Sequence, residues 1–289
     1  MYKKHITIFK QLSKIFEKLG DEPRSTSYHR LYKKLELGDL EGISEKSKKK
    51  IEEITKTGKL KILTDLQKDK KVKAKLELIK IIGVGPSVAE KLVNRNITTF
   101  SQFKRDKQKK TKLQELGVKY YNKISEPSFE IFHYMTKFFC NYVPDIKDIA
   151  IAGSYRTGNE NPNDIDLILV TKDGKIDQTI KVLEKCGILV DYLKSGPEDL
   201  LGVILYKKKF YRIDIKVTTK KYFATYLLFF GSGKYFSKYI RGVAKEKGYK
   251  LNQHGITKNG KLKTFKSERS VFNFLGLKYL TPQERVLYF

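Results

Sequence analysis

Between residues 149 and 170 the sequence leaves little freedom. An apolar run, Ile149-Ala150-Ile151-Ala152, meets Gly153-Ser154 and then Tyr155-Arg156-Thr157-Gly158. Asn163-Asp164-Ile165-Asp166-Leu167-Ile168 follows, alternating acidic and apolar residues before an apolar finish. On a strand, successive side chains point to opposite faces, so Asp164 and Asp166 share one face while Ile165 and Leu167 share the other. Paired carboxylates repel and are driven toward protonation unless a cation lies between them. Oxygen ligands of this kind suit Mg²⁺, which keeps several waters and shares its sphere with substrate phosphates. A third acid, Asp214, sits in a second strand candidate, Tyr211-Arg212-Ile213-Asp214-Ile215-Lys216-Val217. Three carboxylates from adjacent strands can hold two metals about 3.5–4 Å apart, the arrangement that clamps the attacking and leaving oxygens of a displacement. Gly153-Ser154 after a strand lets backbone N–H groups approach a phosphate; Ser154 adds a hydroxyl and Arg156 a positive charge. A bare Asp-x-Asp pair reads equally well as polar residues on a solvated strand edge. The Gly-Ser turn before it and Asp214 after it favour a site.

Residues 187–192, 202–206 and 211–217 complete the strand candidates, with a helix over 179–186 between two of them. Upstream the pattern is helical. Ile8, Leu12, Ile15, Phe16 and Leu19 recur at helical spacing until Gly20-Asp21-Glu22-Pro23 ends the run. A second helix fits 28–35, and a third fits 46–57 with Gly58 at the C-terminal stop. Another helical region between Asp69 and Leu113 is broken at 81–87, the densely basic stretch 104–112 reads as a solvated face or loop, and beyond Lys220 an aromatic-rich helical pattern returns. The expected class is α+β: two helical N-terminal parts (1–66 and 67–126), a mixed-sheet part (127–220) and an α/β C-terminal part (221–289).

The chain carries 60 Lys+Arg against 32 Asp+Glu, a formal charge of +28 on 289 residues. Self-repulsion at this level destabilises a compact chain, so a polyanion is the expected partner. Charge alone does not separate nucleic acid from an acidic membrane surface. Hydrophobic residues at 40% and aromatics at 12% are enough to build cores, which argues against wholesale disorder. Two cysteines, Cys140 and Cys186, exclude a disulfide scaffold or a Cys-rich zinc module, and the four histidines are scattered. The apolar stretch 222–230 is half of the ~18 residues a spanning helix needs, and the N-terminus is broken by charge before signal-peptide length. The expectation is an intracellular protein of a reducing compartment, nuclear or cytoplasmic, not secreted and without a membrane partner.

The segment Ile82-Gly83-Val84-Gly85-Pro86-Ser87-Val88-Ala89-Glu90-Lys91-Leu92 has the form of a helix-hairpin-helix. Gly83 and Gly85 permit the tight turn around Val84, and backbone N–H groups near Ser87 then face a DNA phosphate at the next helix's N-terminus. Such contacts position a duplex without reading its sequence. A plain packing joint between helices would use the same glycines.

Gly-Ser-x-Arg, Asp-x-Asp and a later lone Asp, in that order, resemble the nucleotidyltransferase superfamily. The segments Phe230 to Arg241 (FGSGKYFSKYIR), Glu246 to Asn252, and Ser267 to Arg285 extend the likeness, and over nearly its whole length the chain resembles the family X DNA polymerases. That resemblance implies two Mg²⁺ ions, with Mn²⁺ as a substitute, on Asp164, Asp166 and Asp214. Gly153, Ser154 and Arg156 would meet the triphosphate, Phe229 and Phe230 the sugar and base, and Ser237 would stand where an asparagine often meets the incoming base. Arg212, Arg241 and Lys46 would contact DNA, and the hairpin carbonyls would hold a monovalent cation. The implied substrates are deoxynucleoside triphosphates and gapped or nicked duplex DNA, handled by a monomer in base excision repair. Counting back from Thr57-Gly58-Lys59-Leu60 places Lys50 at the family's Schiff-base lysine, which would give 5′-deoxyribose-phosphate lyase chemistry. Lys46, Lys48 and Lys49 surround Lys50 with like charge, a setting in which a lysine amine serves as a nucleophile. A solvated basic helix gripping a 5′-phosphate fits the same residues. Its hairpin, Leu40-Glu41-Gly42-Ile43-Ser44, lacks the usual Pro and second Gly.

Three departures stand out. Thr157 replaces a second arginine, Phe229-Phe230-Gly231-Ser232-Gly233 replaces an aromatic-Phe-Thr-Gly-Ser run, and Ser237 replaces the asparagine; together they lead us to expect loosened nucleotide selection. No second carboxylate cluster suggests proofreading. The alternatives are a template-independent, terminal-transferase-like enzyme using the same aspartates, and a nonenzymatic DNA-end binder. The Lys-, Ile-, Tyr- and Phe-heavy composition fits an AT-rich coding genome, viral or microbial.

Overall fold

The computed structural model describes residues 2–194 and 196–288 and separates into two compact units, 1–121 and 122–289. Among the described residues no helix is long and apolar enough to cross a membrane.

The first unit is helical. α1 (Lys3–Lys18) and α2 (Glu22–Leu37) pack through Phe9, Leu12, Phe16, Tyr28, Leu31 and Leu35. Gly20 takes a left-handed φ of 79°, and Asp21 then accepts the Arg24 N–H as the cap of α2, with Pro23 in the first turn. The run 20–23 that ends one helix therefore also begins the next, and α2 starts earlier than the periodicity alone suggested. α3 (Glu45–Thr57) starts on a Ser44 cap and stops at Gly58, whose φ is 67°; its Ile54 joins the same core. After α4 (Lys61–Lys68), a second core of Ala74, Leu78, Ile81, Val84, Ala89, Leu92 and Phe103 gathers α5 (Lys70–Leu78), α6 (Pro86–Asn94) and α7 (Phe100–Arg105). The basic stretch divides: Lys104 and Arg105 finish α7, Thr111 opens α8 (Lys112–Lys119) with a capping box, and a loop lies between.

The second unit is built on a five-stranded sheet in the order β1-β2-β5-β4-β3. Its elements are α9 (Phe129–Tyr142), β1 (Asp148–Ile151), α10 (Gly153–Arg156), β2 (Ile165–Val170), α11 (Asp177–Lys185), β3 (Leu189–Lys194), β4 (Asp199–Tyr206) and β5 (Lys209–Thr218). β2 and β5 run parallel, and the other neighbours are antiparallel. Along β5, Tyr211, Ile213, Ile215 and Val217 are buried with Ile131, Phe132, Met135 and Phe139 of α9 and Leu183 of α11, while Arg212, Asp214 and Lys216 alternate onto the polar face. Gly187, with φ of 65°, follows α11, so β3 begins at Leu189 rather than at 187. By compactness the units divide at 121/122: the Ser125 N–H donates to the Phe210 carbonyl at 2.8 Å and Ile124 bridges Phe210, tying this segment to β5.

The rest of this unit comprises α12 (Phe223–Phe230), α13 (Lys234–Glu246), a three-stranded sheet of β6 (Lys250–Asn252), β7 (Gly255–Lys258) and β8 (Lys261–Lys263), then α14 (Glu268–Phe274) and α15 (Pro282–Tyr288). Leu228, Phe236, Ile240, Val271, Phe272 and Leu275 form its core. The small sheet supplies the β part of the α/β C-terminal region; its strands are too short, at three or four residues, to stand out one by one in the sequence.

Candidate active site

The parallel register of β2 and β5 sets Asp166 directly opposite Asp214, and Asp164 stands just before β2. The backbone turns sharply beside them. Gly153 has φ of 56°, a left-handed value that disfavours any Cβ, and a Cβ built there would fall inside the Asp166 carboxylate. Glycine is thus required at 153 for conformation and for space together. The Ala152 N–H donates to the Asp166 carbonyl at 2.9 Å, which locks this turn to β2.

Two of the three carboxylates, Asp164 and Asp214, are held by cations of the chain itself. Asp164 is ion-paired to Arg212. Asp214 Oδ1 lies 3.1 Å from Lys216 Nζ, which also reaches Asp199 at 3.1 Å and sits 5.5 Å from the Phe230 ring centre. The Asp214 contact is one of charge; Oδ1 is buried and makes no directed hydrogen bond. Burial, and after it the negative charge of Asp164 and Asp214, pushes the Asp166 carboxyl up to about 7, even with Arg212 and Lys216 pulling the other way. Lys216 is raised: burial works against its charge, and Asp214 and Asp199 outweigh it.

Among the described residues no three ligating groups converge on one point, because Asp164 is drawn to Arg212 and Asp214 to Lys216. The donor set nonetheless suits a hard divalent cation. It is all oxygen, it includes a buried carboxylate oxygen without a directed hydrogen bond, and it concentrates a repulsion that added positive charge would relieve.

The predicted nucleotide contacts separate into two groups. Ser154 is half-buried in α10, its Oγ accepting from Asn159 Nδ2 at 3.3 Å. Phe229, Ser237 and Arg241 line one small cleft with Thr225, Leu228, Ile240, Leu251 and Asn252. The Arg241 guanidinium lies 5.5 Å from the Phe229 ring centre and its Nε donates to the Ser237 carbonyl at 2.8 Å. Phe230 turns instead toward Lys216 and Tyr226.

Arg156, read from the sequence as a triphosphate contact, is committed elsewhere. Its Nη2 donates to Glu268 at 2.7 Å and its Nη1 to the Gly231 carbonyl at 3.0 Å. Glu268 also receives Nη1 of Arg285 at 2.7 Å, and Arg285 is fully buried, donating as well to Ser232 Oγ at 2.7 Å and to the Leu280 carbonyl at 3.0 Å. The guanidinium of Arg156 is therefore spent on anchoring the α12–α13 turn and α14. Arg212, expected on DNA, is likewise engaged by Asp164. Lys216 and the Arg156–Glu268–Arg285 cluster were missed. An apolar-flanked lysine two residues after Asp214 was the one available sign of Lys216.

In the first unit, Gly85, Pro86 and Ser87 are exposed at the start of α6. Gly83 has φ of 84° and presses on the Leu113–Gln114 backbone. The Val84 side chain is core, and its N–H donates to the Ile81 carbonyl at 3.0 Å, so no Val84 donor remains for a phosphate. Gly117 packs its Cα against the Ile82 carbonyl, fixing α8 beneath the hairpin. Lys46 is exposed on α3. Lys50 is half-buried; its Nζ donates to the Tyr28 hydroxyl at 2.9 Å and lies 4.5 Å from that ring's centre.

A mixed sheet with Asp166 and Asp214 in register on two parallel strands, a glycine turn folded onto one of them, and appended helical parts has the architecture of the nucleotidyltransferase class. Residues 76–125 match the fingers domain of DNA polymerase lambda, 129–220 the DNA polymerase beta palm, and 226–286 the DNA polymerase beta thumb. Curated relatives include DNA polymerase lambda of Arabidopsis thaliana, 27% identical over 328 aligned positions that cover 97% of this chain and 61% of the relative. DNA polymerase lambda of Rattus norvegicus is 27% identical over 327 positions, covering 98% and 56%. The chain thus spans about three-fifths of the length of these relatives. It belongs to the family X DNA polymerases.

Proposed function

We propose that the chain is a template-directed DNA polymerase that fills short gaps in duplex DNA during base excision repair. The observation that carries this reading is the register pairing of Asp166 with Asp214, with Asp164 beside them, in a chain whose segments match the family X fingers, palm and thumb in order.

Family X polymerases are metal-dependent, and we assign two Mg²⁺ ions here, with Mn²⁺ as a substitute. Asp164, Asp166 and Asp214 would hold them. When bound, they supply the positive charge that stabilises the oxygens on the transferring phosphorus. The residues of the chain do the rest. Asp214 stands ready to take the proton of the primer 3′-hydroxyl, whose oxygen then bonds to the α-phosphorus of the deoxynucleoside triphosphate as the bond to pyrophosphate breaks. Ser154 donates its hydroxyl to the triphosphate, and Gly153 leaves room for it beside Asp166. Phe229 and Arg241 shape the floor for sugar and base. Thr157 carries no charge and Arg156 is occupied by Glu268, so the triphosphate meets fewer cations than the family pattern implies, in line with loosened selection.

Gly85, Pro86 and Ser87 would seat a phosphate of duplex DNA at α6, with a monovalent cation on nearby carbonyls. Lys50 would serve as the lyase nucleophile once its amine leaves the Tyr28 hydroxyl. The enzyme would act as an intracellular monomer.

Single-nucleotide insertion on a one-nucleotide-gapped duplex with Mg²⁺, beside Asp214→Ala, tests the main reading. Templated insertion that vanishes in the variant is expected. Addition indifferent to the template would mean a terminal transferase, and tight gap binding without insertion a DNA-end binder. Borohydride trapping on an incised abasic site should be lost in Lys50→Ala; undiminished trapping would clear Lys50 of the role.

A further inference from the structure

The hairpin β7–β8 carries a charge arrangement that the polymerase site does not use. Lys258 and Lys261 are direct cross-strand partners, and Ile256 pairs with Lys263. Because side chains alternate along a strand, residues 256 and 258 share one face, and so do their partners 263 and 261. Three lysines are thereby placed on one face of a narrow ribbon, two of them directly opposed. Like charges in that position destabilise the pairing, and none of the three is ion-paired among the described residues. The Asn259-Gly260 turn, with φ of 49° and 75°, fixes the register, so the lysines cannot slip apart.

This face forms one wall of a cavity of about 350 Å³ lined by Tyr249, Ile256, Lys258, Asn259, Lys261, Lys263 and Phe274, with no carboxylate among them. Two half-buried rings face it. Lys258 Nζ lies 4.8 Å from the centre of the Tyr249 ring and Lys263 Nζ 4.6 Å from that of Phe274, with the two rings 5.1 Å apart. Opposed cations call for an anion between them, and aromatic faces rimmed by cations call for a flat π-system. One ligand class has both, repeated along a chain: single-stranded nucleic acid, whose phosphodiesters pair with lysines while its bases stack on rings. An acidic peptide offers the charge without the flat group. The volume suits a single nucleotide, at the lower end of small-ligand sites.

We propose that the β7–β8 hairpin binds single-stranded nucleic acid, with a phosphodiester between Lys258 and Lys261 and a base against Tyr249 or Phe274. The proposal holds whether or not the carboxylate site polymerises.

The chain contains no tryptophan, so Tyr249→Trp in the full-length protein provides a single tryptophan at the site, excited at wavelengths the tyrosines do not absorb. Titration with oligothymidylate should quench it through stacking. Adding Lys258→Ala and Lys261→Ala should weaken binding and flatten the slope of log affinity against log salt by about 0.7, the value for one phosphate contact on a single strand. The matched control Lys172→Ala with Lys175→Ala should leave site quenching intact. Phe274→Trp is a second reporter should Tyr249→Trp fail to fold. Absence of quenching in both reporters, equal quenching by a blunt duplex or by polyglutamate, or an equal loss in the control would overturn the proposal; polyglutamate quenching would point to an acidic protein partner instead.

Discussion

Glu268→Ala removes the one carboxylate that serves two guanidinium groups. Glu268 is 8% exposed and Arg285 is fully buried. After the substitution Arg285 keeps Ser232 Oγ, the Leu280 carbonyl and the rings of Phe236 and Phe272, but no counter-charge. Arg156 keeps only the carbonyls of Leu227 and Gly231 among these partners. Breaking a buried pair by removing one partner costs about 3–5 kcal/mol, because an uncompensated charge stays inside. For a unit of this size that corresponds to a fall in Tm of about 6–20 °C, at about 2–4 °C per kcal/mol. Urea unfolding followed by far-UV circular dichroism reads the loss. The triple variant Arg156→Met, Glu268→Leu and Arg285→Met should come back to within about 1 kcal/mol of the parent, since apolar replacement of a whole buried cluster is near neutral. If Glu268→Ala costs less than about 1 kcal/mol, the value of an exposed pair, or if the triple variant is as unstable as the single one, the cluster does not work as described.

The same cluster sets a pH dependence. Burial alone would raise the Glu268 carboxyl, but hydrogen bonds from Arg156 and Arg285 hold it below its ordinary 4.5. A depressed carboxylate contributes stability that is present above the unfolded value and is lost as pH falls through the folded one. The urea midpoint should therefore fall more steeply below about pH 4.5 in the parent than in Glu268→Gln; parallel curves would show that Glu268 does not carry the effect. Gly153→Ala should leave the circular dichroism spectrum unchanged and reduce gap insertion by about 10²-fold, the scale of a 1 Å displacement at reacting groups, because its Cβ displaces the Asp166 carboxylate. Insertion at the parent rate would mean that this turn does not set the position of Asp166.

The carboxylates were legible because their signal is local. Alternation within a few residues puts Asp164 and Asp166 on one face, and the same alternation carries Asp214. Lys216 was legible as a strand residue but not as a partner of Asp199, since that contact depends on the register of β4 against β5. Glu268 illustrates a different limit. It follows a Ser267 cap, where an acidic residue reads as a helix-dipole preference, yet its side chain turns inward to Arg156 and Arg285, partners in other elements. The partner of Arg156 was hidden for the same reason: next to Gly153-Ser154 a cation suggests phosphate, and only the fold supplies the competing carboxylate. Helix stops at Gly20 and Gly58 were legible because a left-handed residue is a backbone requirement that no distant contact rewrites.

The pairing of β2 with β5 also fixes when the site can exist. Asp166 and Asp214 are separated in the chain by α11, β3 and β4, and a parallel pair cannot close until its crossover is in place. Non-local closure of this kind is slow relative to helix formation. No fragment that ends before β5 contains the complete set of acids, and a chain with β5 made but unpaired holds them apart. Recovery of insertion during refolding would thus time the closing of the central sheet, and should lag behind the recovery of helical signal.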